Sequence, residues 1–265
     1  MFDLNTYLTA LAVLSLIALA SWSVSLVKRD VSIVDSLWSL FLLAAAIVYA
    51  VRLDDTGPRA ALVLTLVIIW SIRLSAHITW RNRGMPEDHR YQAIRRNNEP
   101  HFELKSLYIV FGLQAVLAWI VSIPLLAAIA SPRDLGVLDF VGIALWIVGF
   151  LFETVADWQL ARFKSDAKNR GQVMDRGLWR YTRHPNYFGE FCVWWGFYLI
   201  AFAAGGWWSV ISPLLMSWLL LRVSGVALLE KDIGERRPAY RDYVARTNAF
   251  IPGPSRADGG RRLSA

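Results

Sequence analysis

Long apolar runs separated by short charged segments organise this chain. A helix that crosses hydrocarbon needs about 20 mainly apolar residues, because each residue rises about 1.5 Å and lipid offers backbone amides no partner. Seven stretches fit that length: Tyr7 to Val27, Val31 to Val51, Ala60 to Trp80, Ser106 to Ala130, Leu135 to Ala156, Phe188 to Ala204 and Trp207 to Leu229. The pattern predicts an all-α, polytopic membrane helix bundle with seven transmembrane helices.

The charges orient that bundle. Lys28 and Arg29 follow the first span, Arg81, Arg83, Arg90, Arg95, Arg96 and Lys105 follow the third, and Arg162, Lys164, Lys168, Arg170, Arg176, Arg180 and Arg183 follow the fifth. The loops between hold only Arg52, Arg59 and Arg133, so the positive-inside rule predicts the N-terminus out and the C-terminus in. The first span lacks the basic start of a secretory signal and exceeds its usual apolar length, so it is expected to be a true span.

Composition agrees: 265 residues, 55% of them hydrophobic, with a mean hydropathy of +0.38. The net charge of +7 is dispersed among the loops, which argues for topology and against nucleic acid. Cys192 is the only cysteine, which excludes an intramolecular disulfide. No repeat or long linker divides the chain. Residues 1–252 are expected to form one domain, with a cofactor half at about 135–252 and a disordered tail at 253–265.

Candidate chemistry sits on the inner side, where the loops are long. Glu153 and Asp157 are one helical turn apart, near the end of the fifth span. Buried carboxylates there need donors and point to a site. Pro185 predicts that the sixth helix starts beside Arg180, Arg183 and His184, a combination that suits an anion. Asn186 and Glu190 share the inward face of that helix. In the third loop, Arg81, Arg90 and Tyr91 are expected to line a polar pocket, while His77, His89 and His101 match no metal-ligand pattern. Asp35 lies inside the second span and needs a partner, for which Arg73 and His77 are candidates. Arg222 is likewise intramembrane, with Glu230 near. GxGxxG, Walker and GxSxG motifs are absent, so any nucleotide must bind in the bundle itself.

The stretch "GLWRYTRHPNYFGEFCVWWGFYL" at 177–199, with "DWQLARFK" before it and "YRDYVARTNAFIPGP" after it, resembles the C-terminal half of the steroid 5α-reductase superfamily. "VDSLW", "RLSAHITWR" and "EDHRY" resemble its bacterial DUF1295 branch, so the likeness spans most of the chain. The resemblance implies a seven-helix inner-membrane protein enclosing NADPH on its cytoplasmic side. It places Arg81, Asp157, Lys164, Arg180, Asn186, Glu190 and Trp194 at family cofactor positions; Glu153, Arg183, His184 and Arg222 join them on physical grounds. The implied activity is reduction of a carbon–carbon double bond in a lipophilic, sterol-like, isoprenoid or fatty-acyl substrate that enters from the bilayer.

The steroid enzymes hold the substrate carbonyl with a Gln-Glu pair and a Tyr. This chain has no Gln-Glu dipeptide, so Asp35, Tyr91 or Tyr187 is expected to act as acid or donor. "RHPNYFGE" and "LLEKDIGERRPAYRDYV" also resemble isoprenylcysteine carboxyl methyltransferases, which leaves a membrane methyltransferase using S-adenosylmethionine as an alternative. A non-catalytic lipid-binding bundle is a third.

Overall fold

A computed structural model describes residues 2–54, 56–223 and 239–255. Among these residues all regular structure is helical, with no strand. Five helices are long and apolar enough to cross a membrane: Leu4–Lys28, Ile33–Arg52, Pro58–Asn82, Phe102–Ile129 and Val137–Ser165. The first three are α1, α2 and α3. A short loop helix, α4, covers His89–Asn97. The fourth long run is segmented into α5 (Phe102–Ser106), a π-helical turn at Leu107–Gly112, α6 (Leu113–Val121) and α7 (Ile123–Ile129). Helix α8 is Val137–Ser165, α9 is Pro185–Ala203 and α10 is Ile211–Trp218.

The sixth expected stretch coincides with α9, which is 19 residues long, starts three residues before the apolar run, at Pro185, and is not among those five. Proline suits a first helical position because the N–H it lacks has no intrahelical partner there. The seventh corresponds to the shorter apolar segment Trp207–Val223; its continuation to Leu229, with Glu230, lies outside the described residues. Most of the tail, from 256, lies outside them too.

The chain divides into two compact units, Met1–Phe140 with Tyr198–Ser212, and Val141–Phe197 with Pro213–Ala265. In the first unit α2 packs against α1, α3, α6 and α7. Lipid gives no hydrophobic drive for helices to associate, so packing and polar pairs between helices must hold them. Ser39 Oγ and Ser71 Oγ each donate to the other's carbonyl at 2.9 Å, joining α2 to α3. Tyr7 and Trp119 stack with centroids 4.2 Å apart and exchange side-chain to backbone hydrogen bonds, joining α1 to α6. Pro124 interrupts the fourth run at Ser122, whose hydroxyl meets Tyr49 Oη of α2 at 2.6 Å.

The second unit is built on α8 and α9. A Cβ added to Gly189 would stand 2.5 Å from the Glu153 nitrogen, and one added to Gly149 would stand 2.5 Å from the Gly189 carbonyl oxygen. A Cβ added to Gly196 would stand 2.8 Å from the Gly142 carbonyl oxygen and 2.9 Å from the Trp146 nitrogen. Glycines at these positions let the two backbones touch, which removes the layer of side chains that would otherwise separate the helices.

Candidate functional site

That backbone contact sets the geometry of the polar face beside it. Glu153 and Asp157, one turn apart on α8, are only 3% and 7% exposed. Across from them Asn186, in the first turn of α9, donates from Nδ2 to Asp157 Oδ1 at 3.3 Å. Glu190 follows on α9 one turn after Asn186, and Trp194 one turn after that, fully buried. The structure therefore brings Glu153, Asp157 and Asn186 together, with Glu190 and Trp194 continuing the same side of α9. Trp146 extends the face on α8: its indole Nε1 is buried and has no hydrogen-bond partner among the described residues. Sequence reading missed Trp146; its spacing of seven from Glu153 and eleven from Asp157 was the available signal.

The segment entering α9 is tied to the C-terminal helix Ala239–Arg246 and the residues after it. Arg183 is buried; its Nη1 donates to the carbonyls of Val244 at 3.1 Å and Thr247 at 2.7 Å, and its backbone N donates to Asn248 O at 2.9 Å. Those carbonyls end a helix and have no partner within it, so a guanidinium is a natural cap. Thr182 Oγ1 donates to Phe250 O, and Tyr243 Oη to Trp179 O. His184 is buried with its ring stacked on Tyr187, centroids 5.7 Å apart. Arg180 and Lys164 are exposed. Arg222 is exposed in the π-helical turn Leu219–Val223.

A second polar cluster lies in the first unit. Arg90 and Tyr91, at the start of α4, converge on Asp35: Arg90 Nη2 donates to Oδ2 and Tyr91 Oη to Oδ1, both at 2.6 Å. The partners of Asp35 are these, not Arg73 or His77 as spacing along α3 implied. Asp35 sits in the first turn of α2, within reach of the loop helix that packs there, whereas Arg73 and His77 lie along α3. Asp88 caps α4 and accepts from Arg90 N and Nε, each at 2.9 Å. Burial opposes the charge on Asp88, but the hydrogen bonds and charge of Arg90 prevail and hold its carboxyl below the usual range. Burial, reinforced by the charge of Asp35 and the hydrogen bond to it, pushes the Tyr91 phenol well above its ordinary value. Tyr91 therefore remains a neutral O–H donor at physiological pH. Glu87 accepts from Arg95 at 2.8 Å and from the backbone N of Val31 at 3.0 Å, anchoring the loop to the start of α2. Arg81 is exposed, with Nε donating to Oδ1 of its neighbour Asn82. Among the described residues no group of three or more His, Cys, Asp or Glu could hold a metal ion.

Arg59, expected as a loop charge, is instead 1% exposed and paired with Asp139, 0% exposed, at 2.7 Å. Both are charged residues in the first turn or two of apolar helices, a position that signals a buried pair.

Comparison with known proteins follows the same chain. The model of the family described as "Protein of unknown function (DUF1295)" matches residues 21–247. An uncharacterized protein of Schizosaccharomyces pombe is 26% identical over 95% of this chain and 81% of its own length. The 3-oxo-5-alpha-steroid 4-dehydrogenase 1 of Bos taurus is 32% identical over 66 residues, 25% of this chain and 26% of that enzyme. No solved structure matches. With a family match over most of its length, a local likeness to a steroid dehydrogenase and five membrane-length helices, the chain belongs to the DUF1295 family, a steroid 5-alpha-reductase-like family of membrane proteins.

Proposed function

We propose that this protein is an NADPH-dependent reductase embedded in a membrane, acting on a carbon–carbon double bond conjugated with a carbonyl in a lipophilic substrate that enters from the bilayer. The observation that carries the reading is the carboxylate and amide face of α8 and α9, where the buried Glu153 and Asp157 meet the half-buried Asn186. The local likeness to the bovine dehydrogenase supports the same chemistry.

The residues of that face fit a dinucleotide. Carboxylates accept hydrogen bonds from ribose hydroxyls and from a carboxamide, Asn186 can both donate and accept, and the buried indole N–H of Trp146 is a spare donor. The phosphates need cations, and the exposed Arg180 and Lys164 are assigned to them; Arg183 is assigned to the support of the face, through the carbonyls it caps. NADPH, when bound, supplies a hydride.

The chain's own residues supply the rest. Reduction of the double bond consumes one hydride and one proton. The proton is assigned to Tyr91 Oη, held neutral by burial and oriented by Asp35 Oδ1. The Tyr91 O–H is given to Asp35 Oδ1, so polarising a substrate carbonyl oxygen requires that hydrogen bond to be exchanged for one to the substrate, with Asp35 kept charged beside Arg90. Tyr187, ring-stacked on His184, is not assigned the acid role. In this reading the chain has seven spans in a bacterial inner membrane, N-terminus out, with its site on the cytoplasmic side.

Binding of NADPH and of S-adenosylmethionine to the purified protein in lipid nanodiscs tests the proposal. NADPH binding that weakens at least about tenfold in Asn186→Ala is expected, the loss of a hydrogen bond to a charged group being worth about 1.5 kcal/mol or more. Binding of the methyl donor alone, or no nucleotide binding at all, would overturn it in favour of a methyltransferase or a lipid-binding bundle.

A further inference from the structure

Helix α8 is longer than a bilayer requires. Its 29 residues span about 43 Å at 1.5 Å each, against a hydrocarbon core of about 30 Å. The surplus of about 13 Å carries its last two turns or so into the headgroup region. There the second unit holds a groove of about 440 Å³, within the range of about 300–1,000 Å³ typical of small-molecule sites. Trp158, Arg162, Phe163, Asp166, Met174 and Arg176 line it.

Three observations define what this groove would take. First, Ile147, Val148, Leu151, Val155 and Trp158 are all exposed and follow one another along one side of α8, an apolar stripe that leads into the groove at Trp158. Second, the Arg162 guanidinium lies over the Trp158 ring, 5.4 Å from its centroid, so the stripe ends in a positive charge held against an indole that is 56% exposed. Tryptophan and arginine so placed are the residues that settle at a membrane–water interface. Third, the other polar groups of the groove are engaged with backbone. Gln159 Oε1 accepts from Leu178 N at 3.0 Å, Asp166 Oδ1 accepts from Lys168 N at 2.9 Å, and Asn169 Nδ2 donates to Phe163 O at 2.9 Å. The guanidiniums of Arg162 and Arg176, both exposed, are left to face an incoming ligand, and Lys164, Lys168 and Arg170 add cations to the surrounding segment.

We propose that this groove binds one anionic phospholipid, its phosphate between Arg162 and Arg176 and one acyl chain along the stripe from Trp158 to Ile147. Guanidiniums recognise phosphate oxygens in pairs, and the exposed apolar stripe favours a lipid over a free anion, which has no chain to lay against it. The groove shares no lining residue with the face of Glu153, Asp157 and Asn186, and the proposal does not depend on the activity proposed above.

Native mass spectrometry of the delipidated full chain tests this, titrating dioleoylphosphatidylglycerol, dioleoylphosphatidylcholine and inorganic phosphate. The expected result is one phosphatidylglycerol bound at least about tenfold more tightly than phosphatidylcholine, a preference that falls below about threefold in the Arg162→Gln, Arg176→Gln double variant. Trp158→Ala is expected to weaken both lipids while keeping their ratio. Equal binding of the two lipids, or an unchanged preference in the double variant, overturns the proposal. Displacement of the bound lipid by millimolar inorganic phosphate also overturns it, because the groove is then a free-anion site.

Discussion

The pair of Arg59 and Asp139 allows a quantitative test of how the first unit is held together. All five N–H donors of the guanidinium are used: Nε and Nη2 grip the two Asp139 oxygens at 2.7 and 2.8 Å, Nη1 donates to Ser131 Oγ at 3.0 Å and Arg133 O at 3.2 Å, and Nη2 also donates to Asp134 O at 3.0 Å. Asp139 Oδ2 accepts in addition from Gly136 N at 2.8 Å. With both side chains essentially inaccessible, replacing one partner strands a charge whose removal from water is no longer compensated, at about 3–5 kcal/mol. Arg59→Met and Asp139→Leu are therefore each expected to cost about that much. The double variant has no stranded charge, so it is expected to cost less than the worse single variant, and a fully apolar replacement can be close to neutral. Equilibrium unfolding in detergent for wild type, both single variants and the double variant measures all four corners of the cycle. Single variants within about 1 kcal/mol of wild type, or a double variant that costs the sum of the two, would refute the reasoning, since either result describes an ordinary exposed pair.

Other outcomes are equally specific. On the proposed reductase activity, Tyr91→Phe keeps the ring but removes the O–H; turnover of an enone substrate is then expected to fall about 10²- to 10⁴-fold with NADPH affinity unchanged, measured by steady-state kinetics and a binding titration. Gly189→Ala places a methyl group 2.5 Å from the Glu153 backbone, so it is expected to destabilise by about 1–3 kcal/mol in thermal or chemical unfolding. Asp88 has a lowered folded-state pKa, so its contribution to stability is present above the ordinary carboxylate value of about 3.9 and is lost as pH falls through the lowered one. The stability gap between wild type and Asp88→Asn is accordingly expected to be constant from pH 7 to 5 and to shrink below about pH 4, as read by unfolding midpoints across that range.

The α-helical class, the positions along the chain of the long apolar helices and the Glu153–Asp157 and Asn186–Glu190 spacings follow from sequence alone, because lipid demands long apolar runs and a helix repeats every 3.6 residues whatever surrounds it. Pro185 marks the first residue of α9 for an equally local reason, its missing N–H. Tertiary structure decided which polar groups meet. Asp35 looks toward residues on its neighbouring span when read in one dimension, yet its partners come from a loop helix some 55 positions away, since chain distance does not determine distance in a folded bundle. Arg183 reads as a ligand for an anion, and its Nη1 also caps a helix late in the chain, because a buried guanidinium takes whichever acceptors the fold brings within 3 Å or so. Gly149 and Gly189 look like unremarkable small residues until two helices are brought into backbone contact; that closeness is a property of the packed pair, and neither strand of sequence carries it alone.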